Sequence, residues 1–228
     1  DLRSIYDLEI VLVNDCSPND NSAEVCRKLA ADRAESVRFV NLSRNFGEHN
    51  AVMAGLKFCT GYAAVIMDDD FQNPPSEVVK LVTKLREGHD VVFSCYAKKQ
   101  HHWFRNLGSA FNNAVASVML KKPRELYLSS FKAINRFVID EITQYDGPYP
   151  YVDGLILRIT RNYATQVVAH DPRDDGRSGY TLRKLLRLWM NMFTNFSILP
   201  LRVASIVGFG FAILGFVFTG AVIVERLA

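Results

Sequence analysis

Three aspartates stand together in Met67-Asp68-Asp69-Asp70-Phe71-Gln72-Asn73-Pro74-Pro75, directly after the apolar run Ala63–Ile66. Side chains of an extended chain alternate with a period of two, so Asp68 and Asp70 leave the strand end on one side and Asp69 on the other. Two carboxylates so placed suit a hard divalent cation, Mg²⁺ or Mn²⁺, which takes oxygen ligands and neutralises a diphosphate leaving group. An acidic triplet alone is more often a solvated loop. The apolar strand before this one and the Pro-Pro stop after it favour the metal site. Far along the chain, Val203–Val224 is an uncharged apolar run, and about 20 such residues span the hydrocarbon core of a bilayer as a helix. A metal-and-phosphate site on one chain with a membrane segment points to a water-soluble phosphate donor and a lipid acceptor.

The elements that must position these groups follow from periodicity. Strands are expected at Leu8–Val13, Val37–Leu42, Ala63–Met67 and Asp90–Ser94, and helices at Ser22–Ala34, from about Gly47 to Cys59 and at Ser76–Glu87. Strands alternating with helices of this length predict an α/β fold, a mostly parallel sheet wrapped by helices. Ligands of such sheets bind beyond the carboxyl ends of the strands. Asp15, Arg44 and Asp68–Asp70 all fall at such ends, which assigns three loops to one crevice.

A formal net charge of +3 is too mild to argue for nucleic acid. The basic residues crowd instead ahead of the apolar run. From Thr181 onward, Leu182, Leu185, Leu186, Trp189, Met192, Phe193 and Phe196 recur at helical spacing, with Arg183, Lys184, Arg187 and Asn191 on the other side. This helix packs either on the domain core or in the membrane interface; its place before a spanning segment favours the interface. The four cysteines lack C-x-x-C spacing, as expected of reduced thiols in a cytosolic portion. No signal peptide opens the chain. Lys98, Lys99, His101, His102 and Arg105 form a basic run read as a phosphate-facing loop, the adjacent histidines lacking a third metal ligand.

Four stretches together carry a specific resemblance: VLVNDCSPNDNS at 11–22, LSRNFGEHNAVMAGL at 42–56, MDDDFQNPPSEV at 67–78 and GYTLRKLLRLWMNMFTNFSILPLR at 179–202. In this order they resemble the branch of glycosyltransferase family 2 that loads sugars onto polyprenyl phosphates, such as dolichyl-phosphate mannose synthases and bacterial undecaprenyl-phosphate sugar transferases. The resemblance implies a Rossmann-like GT-A fold and an inverting, metal-dependent transfer from a nucleotide sugar to a polyprenyl phosphate. It implies that Asp15, with Arg44 and Asp68, binds the nucleotide. Asp68, Asp70 and Gln72 become the metal and diphosphate site, with Asp70 catalytic. Arg173, with Arg177 and Tyr180, holds the acceptor phosphate, which guanidinium suits by donating two parallel hydrogen bonds. For Arg177, attraction to anionic headgroups is an equal alternative.

Two departures stand out. The family's opening strand and acidic turn have no counterpart here. Where relatives carry an aspartate in a D-F-R-type segment, this chain has Ser129-Ser130-Phe131-Lys132. No catalytic base is then evident, and a phosphate monoester needs none, being largely dianionic at neutral pH with a second pKa of about 6. Lys132 is either a group that positions donor or acceptor phosphate or an ordinary surface lysine. The expected organisation is a catalytic domain at 1–176, juxtamembrane amphipathic helices at 177–202 and a transmembrane helix at 203–224. Rival readings are a processive polysaccharide synthase, disfavoured by the lack of a Q-x-x-R-W motif, a transferase for another glycan acceptor, and a catalytically silent membrane scaffold.

Arg183, Lys184, Arg187 and Arg202 precede the apolar run and only Arg226 follows it, which by the positive-inside rule sets the domain on the cytoplasmic side of a bacterial inner membrane. Ala204, Gly208 and Ala212 recur every four residues, a spacing that lets a second helix approach closely and predicts a homo-oligomer. A Gly208→Leu, Ala212→Leu double variant is expected to run as a smaller species than the parent in mild detergent. Identical elution of both as monomers contradicts the expectation.

Overall fold

The computed structural model describes residues 2–17, 20–96, 123, 126–171 and 199–227. The chain divides into two compact units, Asp1–Ser178 and Gly179–Ala228. The first runs β1 (Ile10–Asn14), α1 (Ser22–Asp32), β2 (Val37–Asn41), α2 (Glu48–Leu56), β3 (Ala63–Ile66), a 3₁₀ turn at Pro75–Glu77, α3 (Val78–Arg86) and β4 (Val91–Tyr96). It continues with β5 (Lys132–Asn135), α4 (Arg136–Thr143), α5 (Val152–Ile159) and β6 (Tyr163–Val168). The alternation predicted from the sequence is present, element for element, as far as β4.

Strands β1 and β2 pair in parallel, Ile10 opposite Val37 through Asn14 opposite Asn41. The other four form a sheet in the order β3-β5-β4-β6. Here β4 and β6 are parallel, whereas β5 runs antiparallel to both its neighbours. The sheet is therefore mixed at the strand that the alternation did not anticipate. β5 has four residues and begins with a lysine, so neither its length nor its polarity marks a buried strand.

Apolar burial explains why the second sheet holds. Val91, Val92 and Phe93 of β4 are fully buried, as a strand covered on both faces must be. Val78, Leu81 and Leu85 recur along the inner side of α3 and pack with Val92, Phe131, Ala133 and Val168. Each such side chain contributes about 1.5–3 kcal/mol over remaining exposed. α2 lies close on β1: a Cβ at Gly55 would stand 2.9 Å from Val13 Cγ2, so the absence of a side chain sets that approach.

In the second unit, α6 (Leu199–Leu227) is one continuous helix of 29 residues. Its stretch Ala204–Leu227 is long and apolar enough to cross a membrane. Phe209, Phe211, Phe216 and Phe218 all stand exposed along it. An exposed helix that is apolar on every side has no stable place in water and matches a hydrocarbon solvent.

Candidate active site

At the carboxyl ends of β1 and β2, Asp15 organises the loop that enters α2. Its Oδ1 accepts from the Phe46 amide at 2.8 Å and its Oδ2 from the Gly47 amide at 2.7 Å. Asn45 Nδ2 donates back to the Asp15 carbonyl at 3.1 Å. Gly47 has φ +92°, the left-handed region that a side chain would strain, so glycine permits both amides to face one carboxylate. Arg44 is exposed, its guanidinium 4.6 Å from the centroid of the Phe46 ring. The structure thus brings Asp15 and the Arg44 loop together, with the cation facing solvent.

After β3 the acidic loop projects outward. Asp68 and Asp69 are exposed, and Asp70 is half-buried with Oδ1 accepting from the Gln72 amide at 3.2 Å. The exposed Phe71 takes φ +59°, an uncommon backbone state for a bulky residue, and marks the sharp turn between Asp70 and Gln72. Gln72 Nε2 lies 3.4 Å from His170 Nε2, and the His170 ring stacks on Tyr96 at 4.1 Å between centroids. Tyr96 donates its hydroxyl to Asn73 Oδ1 at 3.2 Å. The loop and the segment after β6 therefore share one small polar cluster. Among the described residues no three His, Cys, Asp or Glu side chains converge as a ready-made cage. The carboxylates of Asp68 and Asp70 nonetheless suit Mg²⁺ or Mn²⁺ arriving with substrate phosphates, because such ions keep several waters and use one or two protein carboxylates.

Lys132 is not a surface lysine. Only 3% of it is exposed, and it forms an ion pair with Asp153, itself 7% exposed. Its ammonium also stands 5.7 Å from the centroid of the Phe93 ring. In the β3–β5 register Lys132 is the partner of Ile66, two residues before Asp68. Asp153 lies in the first turn of α5, where a negative charge is favoured by the helix dipole. His49 joins from α2, its ring edge-on to Tyr151 at 4.9 Å. Burial pushes the His49 pKa below its ordinary 6.5; Lys132 adds to that push, and the Asp153 carboxylate opposes it.

Asp153, His170 and Glu77 carried no signal in a single sequence: each is an isolated polar residue whose partner lies far along the chain. Arg173, Arg177 and Tyr180, the amphipathic stretch from Thr181 to Ser197 and the basic run at 98–105 lie outside the described residues.

A model of the family described as glycosyl transferase family 2 matches residues 2–143. An undecaprenyl-phosphate 4-deoxy-4-formamido-L-arabinose transferase from Pseudomonas fluorescens (strain SBW25) is 34% identical over 223 residues, covering 98% of this chain and 65% of the relative. The chain thus spans just under two thirds of that relative's length. Among solved structures, glucosyl-3-phosphoglycerate synthase from Mycobacterium tuberculosis, in complex with Mn²⁺, UDP-glucose and phosphoglyceric acid, aligns with a TM-score of 0.55 at 18% identity, over 84% of this chain and 71% of that one. A mannosyltransferase from Pyrobaculum calidifontis, in complex with GDP-Man and Mn²⁺, aligns with a TM-score of 0.53 at 17% identity, over 85% and 58%. At such identities these likenesses establish the fold, an α/β arrangement of GT-A type.

The lowered His49 pKa has a consequence for stability. Between the lowered folded value and 6.5, the unfolded chain binds more protons than the folded one, so stability falls as pH drops through that window and levels off below it. His49→Gln is expected to flatten this part of the profile, measured as the midpoint of chemical denaturation on either side of pH 6.5. An unchanged slope means that His49 titrates alike in both states.

Proposed function

The chain belongs to glycosyltransferase family 2, and from that premise we propose that it transfers a sugar from a nucleotide-sugar donor to the phosphate of a polyprenyl lipid, undecaprenyl phosphate above all. The observation that carries this reading is the exposed Asp68–Asp70 loop at the end of β3, linked through Gln72 to His170. It sits on a chain that also bears the apolar helix α6. The acceptor class follows the relative with 34% identity across nearly the whole chain.

In this reading Asp68 and Asp70 hold the metal, with Gln72 and His170 beside them. A bound Mg²⁺ or Mn²⁺ supplies charge neutralisation for the departing diphosphate. Asp15 and Arg44 bind the nucleotide, Asp15 also fixing the loop through the Phe46 and Gly47 amides. Arg173, Arg177 and Tyr180 hold the acceptor phosphate. An acceptor oxygen attacks the anomeric carbon in line with the leaving group, which inverts that centre. Lys132 acts through Asp153, whose carboxylate it holds in a buried ion pair.

Asp70→Ala is expected to lower transfer of radiolabelled sugar to undecaprenyl phosphate by more than about a hundredfold, beyond the cost of losing a merely supporting residue. The melting midpoint should stay unchanged. A panel of nucleotide sugars in the same assay identifies the donor. Turnover that persists in this variant and in EDTA removes the metal assignment.

The excess of arginine and lysine ahead of α6 orients the catalytic unit toward the cytoplasm, where nucleotide sugars are made. Protease added to inverted membrane vesicles should digest the unit, and protease added to intact spheroplasts should not. The opposite pattern reverses the topology.

A further inference from the structure

The acidic loop is fastened to the segment after β6 at two backbone amides, with His170 between them. Asp171 donates its amide to the Gln72 carbonyl at 2.9 Å. Ala169 donates its amide to Glu77 Oε2 at 3.0 Å. Glu77 ends the 3₁₀ turn that closes the acidic loop, and its 7% exposure is unusual for a carboxylate. Lys80, one turn on, donates to both its oxygens, at 2.8 and 2.7 Å. A buried carboxylate needs such a partner to remain ionised, and an ionised acceptor makes the stronger bond to an amide. His170 itself is exposed, and among the described residues its ring meets Tyr96 and Gln72. Its backbone is what is held.

We propose that Glu77, locked by Lys80, is the positioning residue that sets His170 beside Gln72 at the edge of the acidic loop, and so tunes the affinity of the loop for its divalent cation. The inference rests on the metal reading of Asp68 and Asp70. Glu77 reaches neither cation nor substrate; it acts along the path from its Oε2 to the Ala169 amide and on to the neighbouring imidazole. Supporting residues one step behind a metal site typically change metal affinity or activity by about 10- to 100-fold when removed. A residue that served only the core would alter stability and leave that affinity alone.

The experiment compares the full chain with Glu77→Ala, Glu77→Gln and Asp70→Ala in detergent, reading free Mn²⁺ by electron paramagnetic resonance and amide hydrogen exchange over 168–171 without metal. In Glu77→Ala the 169–171 amides should exchange faster and Mn²⁺ should bind about tenfold more weakly, with a matching rise in the Mn²⁺ concentration for half-maximal transfer and a smaller change in kcat. Glu77→Gln keeps an acceptor oxygen for Ala169 and should restore exchange protection and most of the affinity, which also controls for misfolding of the alanine variant. Unchanged Mn²⁺ binding in Glu77→Ala, with Asp70→Ala abolishing it, overturns the role of Glu77 and leaves the metal reading standing. Unchanged binding in Asp70→Ala overturns both.

Discussion

The buried ion pair between Lys132 and Asp153 is the constraint around which the catalytic unit is arranged. Removing either partner would strand a charge in the interior, at a cost of about 3–5 kcal/mol. The pair therefore dictates what must meet. β5 has to lie between β3 and β4 for Lys132 to stand over Phe93, and α5 has to start where Asp153 can reach it. Because Tyr151 precedes Asp153 at that helix start, His49 and the beginning of α2 are drawn to the same place. Asp15 then ties that beginning to the end of β1. One electrostatic contact thus links strand ends and helix starts around the acidic loop.

The two halves of the site are built on opposite principles. Around Lys132 and Asp153 the charges are buried and paired, and their geometry is fixed by the cost of separating them. Around Asp68 and Asp70 the carboxylates are left near water, where mutual repulsion is screened and a hydrated cation can enter. In the proposed metal site, carboxylates so placed take their precision from the backbone beneath them. The Gln72 carbonyl and the Glu77 carboxylate both take amides from the 169–171 segment, so the loop is held through its backbone and its closing turn.

How much of this was legible in the sequence depends on what each element reveals locally. The strands and helices up to β4 announce themselves by period, because each is half or fully buried over several residues. Their ends shift by up to three positions, as with β1, expected at Leu8–Val13 and found at Ile10–Asn14, and α2, expected to about Cys59 and ending at Leu56. The Asp68–Asp70 loop was readable because three carboxylates after an apolar strand are a local pattern. β5 and Asp153 were not, since a lysine in a four-residue strand looks like surface until its partner, 21 residues away, is known. Glu77 reads as an ordinary acidic residue at a helix start. Its burial and its bond to Ala169, 92 residues distant, exist only in the fold. Ser130, at the position where relatives have an acid, is half-buried, and its neighbour Ser129 is buried and bonded to Ser94 at 2.7 Å.

The proposed reaction brings two anions together, a nucleoside diphosphate and a lipid phosphate, in a site that already carries the Asp68–Asp70 triplet. Two like charges about 4 Å apart repel by about 4 kcal/mol near a protein surface, so an unaided encounter would be strongly disfavoured. What the acceptor saves by needing no base it demands in positive charge. In the proposed reaction, a divalent cation and Arg44 would supply that charge on the donor side. On the acceptor side the proposal assigns it to Arg173 and Arg177, because a guanidinium group matches phosphate oxygens two at a time. The buried Lys132–Asp153 pair stands in the same unit with its charges matched, so that carboxylate adds no unpaired negative charge to the repulsion.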